Sequence, residues 1–117
     1  MSVASKLQLK PTHTVAVLHR PADVDLQLQA PPATSPAEAD AVIVFVLDSA
    51  ALDADAEPAL EAARRDALAW IAYPKAGKLG TDLNRDSLAA AVTGQGVRPV
   101  RQIAIDATWS ALRFRPA

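Results

Sequence analysis

"AVIVFVLDSAALDADAEPALEAARRDALAWIAY", residues 41–73, is the stretch that decides the fold. Ala41 to Leu47 is apolar without a break, far too short for a membrane span and apolar on both faces of a strand. It predicts a central strand covered on both sides. Asp48 and Ser49 end that strand, and Ser49 stands where it can cap a short helical start. Pro58 interrupts any single helix, so the pattern predicts a second one with the proline in its first turn, running through Leu60, Ala63 and Arg64 to about Asp66. Leu68 to Tyr73 is again apolar and predicts a second buried strand. Strand, helix, strand at this length is the pattern of a right-handed βαβ unit.

Toward the N-terminus, Thr14 to Leu18 is a short aliphatic run between Pro11 and Arg20-Pro21 and reads as another buried strand. Val24, Leu26 and Leu28 then alternate with Asp25, Gln27 and Gln29, the period of a half-exposed strand at an edge or paired antiparallel. Ala30 to Ser35 reads as loop, and Ser35-Pro36-Ala37-Glu38 has capping-box spacing before a short helical turn. Toward the C-terminus, "YPKAGKLGTDLNRDS", residues 73–87, leads into a helix from Asp86 to about Thr93, stopped by Gly94-Gln95-Gly96. Val100 to Asp106 predicts the strand of a second βαβ unit. Trp109 to Phe114 predicts a strand antiparallel to its predecessor, with Leu112 and Phe114 set against Arg113 and Arg115; a helix covering the sheet is the alternative. The expectation is a single α/β domain over residues 1–117, with residues 1–12 flexible. It has three layers: an open, mostly parallel sheet of about four to six strands, helices on both faces and an antiparallel C-terminal strand.

With 117 residues, half of them apolar, the chain can bury one core. It has no cysteine, which excludes disulfides, thiol nucleophiles and cysteine-ligated metals and predicts a reducing, cytoplasmic setting. Met1 to Pro11 carries lysines with no apolar segment behind them, so neither export nor membrane anchoring is expected. Charge is unevenly shared along the chain. Residues 1–63 hold three basic against nine acidic side chains, a formal −6, and residues 64–117 hold nine basic against four acidic, a formal +5. The ordinary reading is that the halves interleave in the fold and the charges mix over the surface. The alternative is a basic side that attracts an anion, and without a recognition-helix motif or dense basic run specific DNA binding is not expected.

Ligands of open α/β sheets bind beyond the carboxyl ends of the strands. That rule gathers His19, Asp48, Lys75 and Asp106 along one rim, with Arg85 at the start of the following helix, as ligand-binding candidates. Gly77, Gly80, Lys75 and Lys78 invite comparison with phosphate loops, yet neither G-x-x-x-x-G-K-[ST] nor G-x-G-x-x-G is present. Turn chemistry explains the glycines better. Asp82, Asn84 and Asp86 have the spacing that opens a calcium loop, but Ser87 occupies the glycine position and no glutamate closes it, so they read as helix caps. Ser49, His19 and an aspartate lack the glycines of a nucleophile elbow, and Tyr73 and Lys75 lie two apart instead of the four of a short-chain dehydrogenase pair. No catalytic residue, metal or cofactor is assigned. Trp109, Arg113 and Phe114 read as a terminal strand sealing the core, with an arginine stacked on tryptophan as a surface recognition pair the alternative.

"LAWIAYPK", "TDLNRDSL" and "IAIDATWSALRFRP" together resemble a family of small bacterial proteins that form a domain of unknown function. The resemblance spans mainly Val42 to Pro116, and "WSALRFRP" is its most specific part. It highlights Trp70, Tyr73, Pro74 and Lys75, then Asp82, Asn84, Arg85 and Asp86, and finally Asp106, Trp109, Ser110, Leu112 and Arg113. It implies a bacterial, stand-alone α/β domain and no reaction. The functional expectation is therefore a non-catalytic domain that binds a small anionic ligand or a protein partner. The alternative is a small enzyme or phosphate- or nucleotide-binding protein on the same rim, with His19 or Asp48 as acid or base.

Overall fold

The computed structural model describes residues 2–28 and 31–117. Five strands, β1 (Val15–Leu18), β2 (Ala41–Phe45), β3 (Leu68–Pro74), β4 (Val97–Ala104) and β5 (Trp109–Pro116), form one sheet in the order β1-β2-β3-β5-β4. Four helices accompany them: α1 (Val3–Lys6), α2 (Ser49–Asp55), α3 (Glu57–Arg64) and α4 (Arg85–Val92). The Cα radius of gyration is 12.9 Å, against roughly 13 Å for one domain of this size.

The stretch from 41 to 73 folds as its pattern predicts. Every residue of β2 is buried, and β2 pairs parallel with β1 on one side and β3 on the other. Pro58 sits in the first turn of α3, where its missing N–H costs nothing, and the chain turns between α2 and α3 at Ala56. The cap of α2 falls one residue earlier than expected. Asp48 accepts from Ala51 N at 2.9 Å, which frees Ser49 for another contact.

Beyond β3 the expected mostly parallel sheet is corrected. The sheet is mixed, because β5 lies between β3 and β4 and pairs antiparallel with both. A hairpin turn around Asp106 joins β4 to β5, and two strands joined so tightly can pair only antiparallel. β3, α4 and β4 therefore form a βαβ unit whose strands are split by the inserted β5.

The two faces of the sheet are covered differently. Val42, Val44, Ile71, Leu112 and Phe114 share one buried cluster with Leu52 of α2, Leu60 of α3 and Leu88 and Val92 of α4. Ile43, Phe45, Trp70, Ile103 and Trp109 form a second cluster with Leu7, Val24 and Leu26. Three of the four helices thus pack on the first cluster. The second is closed by the four-residue α1, the buried Leu7 after it and the chain around Val24 and Leu26. Phe45 and Trp109 meet edge to face within it, ring centroids 5.2 Å apart at 71°.

Val24 and Leu26 are buried at the expected alternate positions, but the segment is not a strand. Asp25 Oδ1 accepts from Gln27 N at 2.8 Å, and Gln27 adopts φ 52°, so a local turn replaces ladder pairing. Gln29 and Ala30, the end of the predicted alternation and the start of the predicted loop, lie outside the described residues.

Candidate ligand-binding cleft

The rim where β3 and β4 end carries a cleft of about 460 Å³ on the face covered by α4. Its floor follows from strand register. Tyr73 on β3 is opposite Ser110 on β5, which is opposite Ala104 on β4, so the three side chains cross the sheet in one row on one face. Gln102 lies two residues further into β4 on the same face. Lys75 and Arg85 line the opening, with Asn84 at the N-terminus of α4.

Local chemistry fixes each wall. Lys75 N donates to Thr108 O at 2.7 Å, which ties the end of β3 to the hairpin turn. Gly77 and Gly80 adopt φ 80° and 68° in successive turns closed by Lys78 N to Lys75 O and Thr81 N to Lys78 O, as the turn reading requires. Asn84 and Ser87 form a capping box: Ser87 N donates to Asn84 Oδ1 at 2.8 Å, and Asn84 N to Ser87 Oγ at 2.9 Å. The positive end of the α4 dipole is thereby set at the cleft. Asp82 does not cap α4. It accepts from Ser49 N at 2.8 Å and from Ser49 Oγ at 2.5 Å, tying the loop to the start of α2.

The unusual group is the Tyr73 hydroxyl. Tyr73 is 2% exposed and its hydroxyl has no hydrogen-bond partner, whereas buried hydroxyls are nearly always paired. Burial pushes its pKa above the ordinary 10.0, opposed by the nearby Arg85 and aided by Asp86, so at neutral pH it is a protonated donor. Ser110 beside it is 4% exposed and is the one buried polar residue among the described residues. Arg85 is half exposed and lies 3.4 Å from the still more exposed carboxylate of Asp86, a contact too solvated to hold the guanidinium in place. Two cations, a helix N-terminus and a buried donor around one cleft are suited to an anionic group.

The five ligand-binding candidates read from sequence divide. Lys75 and Arg85 line this cleft together. Asp106 is engaged in the hairpin turn, accepting from Thr108 N at 2.8 Å and Trp109 N at 2.7 Å. Asp48 caps α2. His19, with φ 59° after β1, places Nε2 3.7 Å from Asp55 Oδ1. Tyr73, Ser110 and Gln102 were not among the candidates. Ser110 was legible as a polar residue in period with Leu112 and Phe114 on the inward stripe of a strand.

A hollow of about 540 Å³ lies elsewhere, beneath the N-terminal segment, between Ser2, Ser5, Gln8, Leu9, Gln27 and Leu28. Among the described residues Lys10 is its only charged lining residue, and neither buried unpartnered polar atom found there belongs to its walls. Among the described residues, no three His, Cys, Asp or Glu side chains group as metal ligands, and no helix is long and apolar enough to cross a membrane. No family model and no curated protein matches the chain.

Proposed function

We propose that the protein is a small, non-catalytic ligand-binding domain, and that the cleft between β3, β5 and the N-terminus of α4 takes a small organic anion. The observation that carries this reading is the buried Tyr73 hydroxyl, unpartnered at the floor of a cleft whose opening holds Lys75 and Arg85. Leaving a buried hydroxyl unpaired costs about 1–3 kcal/mol, a cost a bound acceptor removes. A volume of about 460 Å³ exceeds what a bare phosphate needs and lies in the range of small-molecule clefts. The favoured ligand is therefore a phosphate monoester or carboxylic acid whose anionic head meets Lys75 and Arg85 and whose body reaches toward Gln102. On the same reading the domain works in the bacterial cytoplasm, in keeping with its lack of cysteine and the resemblance carried by its C-terminal half.

Thermal shift followed by calorimetry, with inorganic phosphate, sugar phosphates, nucleoside monophosphates and small carboxylates, tests the proposal. At least one organic anion should raise the melting temperature, with the shift abolished in both Lys75→Ala and Arg85→Ala. The reading fails if no anion shifts the melting temperature, or if a shift survives both substitutions.

A further inference from the structure

The face of the β4–β5 hairpin turned away from α4 holds a second concentration of charge. Arg98 is opposite Arg115 and Arg101 is opposite Arg113 across the two strands. Directly opposed residues share a face, and Arg113 and Arg115 are two apart, so all four arginines project to the same side. Cross-strand partners of this kind hold their Cβ atoms roughly 4.5–5.5 Å apart, a spacing at which like charges repel. The register irregularity between Pro99 and Arg101 is what brings Arg98 and Arg101 onto one face.

One carboxylate serves this group. Asp66 accepts from Arg115 Nε and Nη2, both at 3.0 Å. Arg113 donates through Nη1 to Gln8 Oε1 at 2.6 Å, but its Nε is buried with no partner. Arg98 Nε reaches only the carbonyl of Pro116, at 3.2 Å, and among the described residues the Arg101 side chain makes no hydrogen bond or ion pair. Burial and the neighbouring Arg115 and Arg101 lower the Arg113 pKa, with Asp66 the opposing charge. Arg98, Arg101 and Arg115 are exposed. The surface carries more cation than the domain itself neutralises.

We propose that this arginine face is a docking surface for an acidic, carboxylate-bearing peptide segment of a partner protein. Charge complementarity calls for an anion, and the bidentate Arg115–Asp66 pair gives a carboxylate geometry already in use on this face. A nucleic-acid strand gains much of its affinity from stacking on exposed aromatics, worth about 1–3 kcal/mol per base. Here Trp70 and Trp109, on the same face of the sheet, are buried. Pairing of β4 with β4 of a second copy would bring Arg98 and Arg101 against their own kind, and Pro99 supplies no N–H for it.

The probe is fluorescently labelled hexaglutamate, followed by anisotropy at low ionic strength against the full chain. A hexathymidylate of similar charge is the nucleic-acid comparison. Hexaglutamate should bind, and Arg101→Glu should weaken it about tenfold. Lys78→Glu, an equal change in net charge on the exposed loop, should leave binding unaltered. The Arg113 Nε–H resonance should move on titration of the wild-type protein, a readout that needs no variant. The proposal is overturned if hexaglutamate does not bind, if both charge reversals weaken it equally, if hexathymidylate binds more tightly, or if the Arg113 resonance stays still.

Discussion

Trp70 and Tyr73 lie three residues apart on β3 and point to opposite faces of the sheet. They are 0% and 2% exposed, so each takes a polar atom out of water. The indole Nε1 of Trp70 donates to Leu7 O at 3.1 Å, and the Tyr73 hydroxyl donates to nothing. On one face the polar tip fastens the N-terminal segment to the sheet. On the other it lies buried and unpaired beside a cleft that Lys75 and Arg85 also line. The same strand therefore carries one aromatic whose polar atom is bonded and one whose polar atom is not, and the two should respond oppositely to loss of that atom.

The largest effect is expected at Trp70. Trp70→Ala should cost about 3–5 kcal/mol in urea denaturation, a large share of the 5–15 kcal/mol typical of a domain. Trp70→Phe separates the hydrogen bond from the volume. It should cost about 1–3 kcal/mol and speed hydrogen exchange in residues 3–9, because the Leu7 carbonyl loses its donor. Unchanged exchange there would show that α1 is held by apolar contacts alone.

Tyr73→Phe should move the other way, raising stability by about 1 kcal/mol while weakening binding of whichever anion the wild-type protein takes up. A stability gain with no loss of binding would locate the ligand away from the hydroxyl. The wild-type protein carries a related signature in its pH dependence. Because the folded-state pKa of Tyr73 is raised, its contribution is complete below the unfolded value of 10.0 and is lost as pH rises through the folded one. Alkaline denaturation should therefore begin later in Tyr73→Phe, as read by circular dichroism.

Much of the Trp70 side was legible in the sequence, and only part of the Tyr73 side was. The apolar runs at 41–47 and 68–73 set both strands and their burial, because a continuous apolar run has one stable placement in an α/β sheet. Insertion of β5 between β3 and β4 was not legible, since it depends on which sheet edge the returning strand finds free. Val24 and Leu26 showed their burial through alternation, but the turn made by the Asp25 side chain consumed the backbone groups a strand would have used. The same kind of local bond explains the divided rim. Rules about strand ends gather Lys75, Arg85, Asp106 and Asp48, yet a short aspartate side chain beside a turn or helix start bonds the nearest backbone N–H. The longer Lys75 and Arg85 side chains line the cleft instead, Arg85 keeping only a solvated contact with Asp86.

Asp82 offers the smallest effect and the finest division between the two sides of β3. Its carboxylate accepts both the backbone N–H and the hydroxyl of Ser49, and those two bonds hold its pKa below the ordinary 3.8. A depressed folded-state pKa contributes stability that is present above 3.8 and lost as pH falls through the folded value. Asp82→Asn should remove that acid-range component and shift the acid midpoint upward slightly, because the group is exposed. Its more telling consequence is local. Asp82 anchors the loop that leads from Lys75 to Asn84, so the substitution should quicken exchange of amides in residues 76–83 and weaken anion binding, and leave exchange around Leu7 as it was. If the Leu7 region loosened to the same degree, the two faces of β3 would be energetically coupled, and the Tyr73 cleft could not be treated as a site separable from the core that supports it.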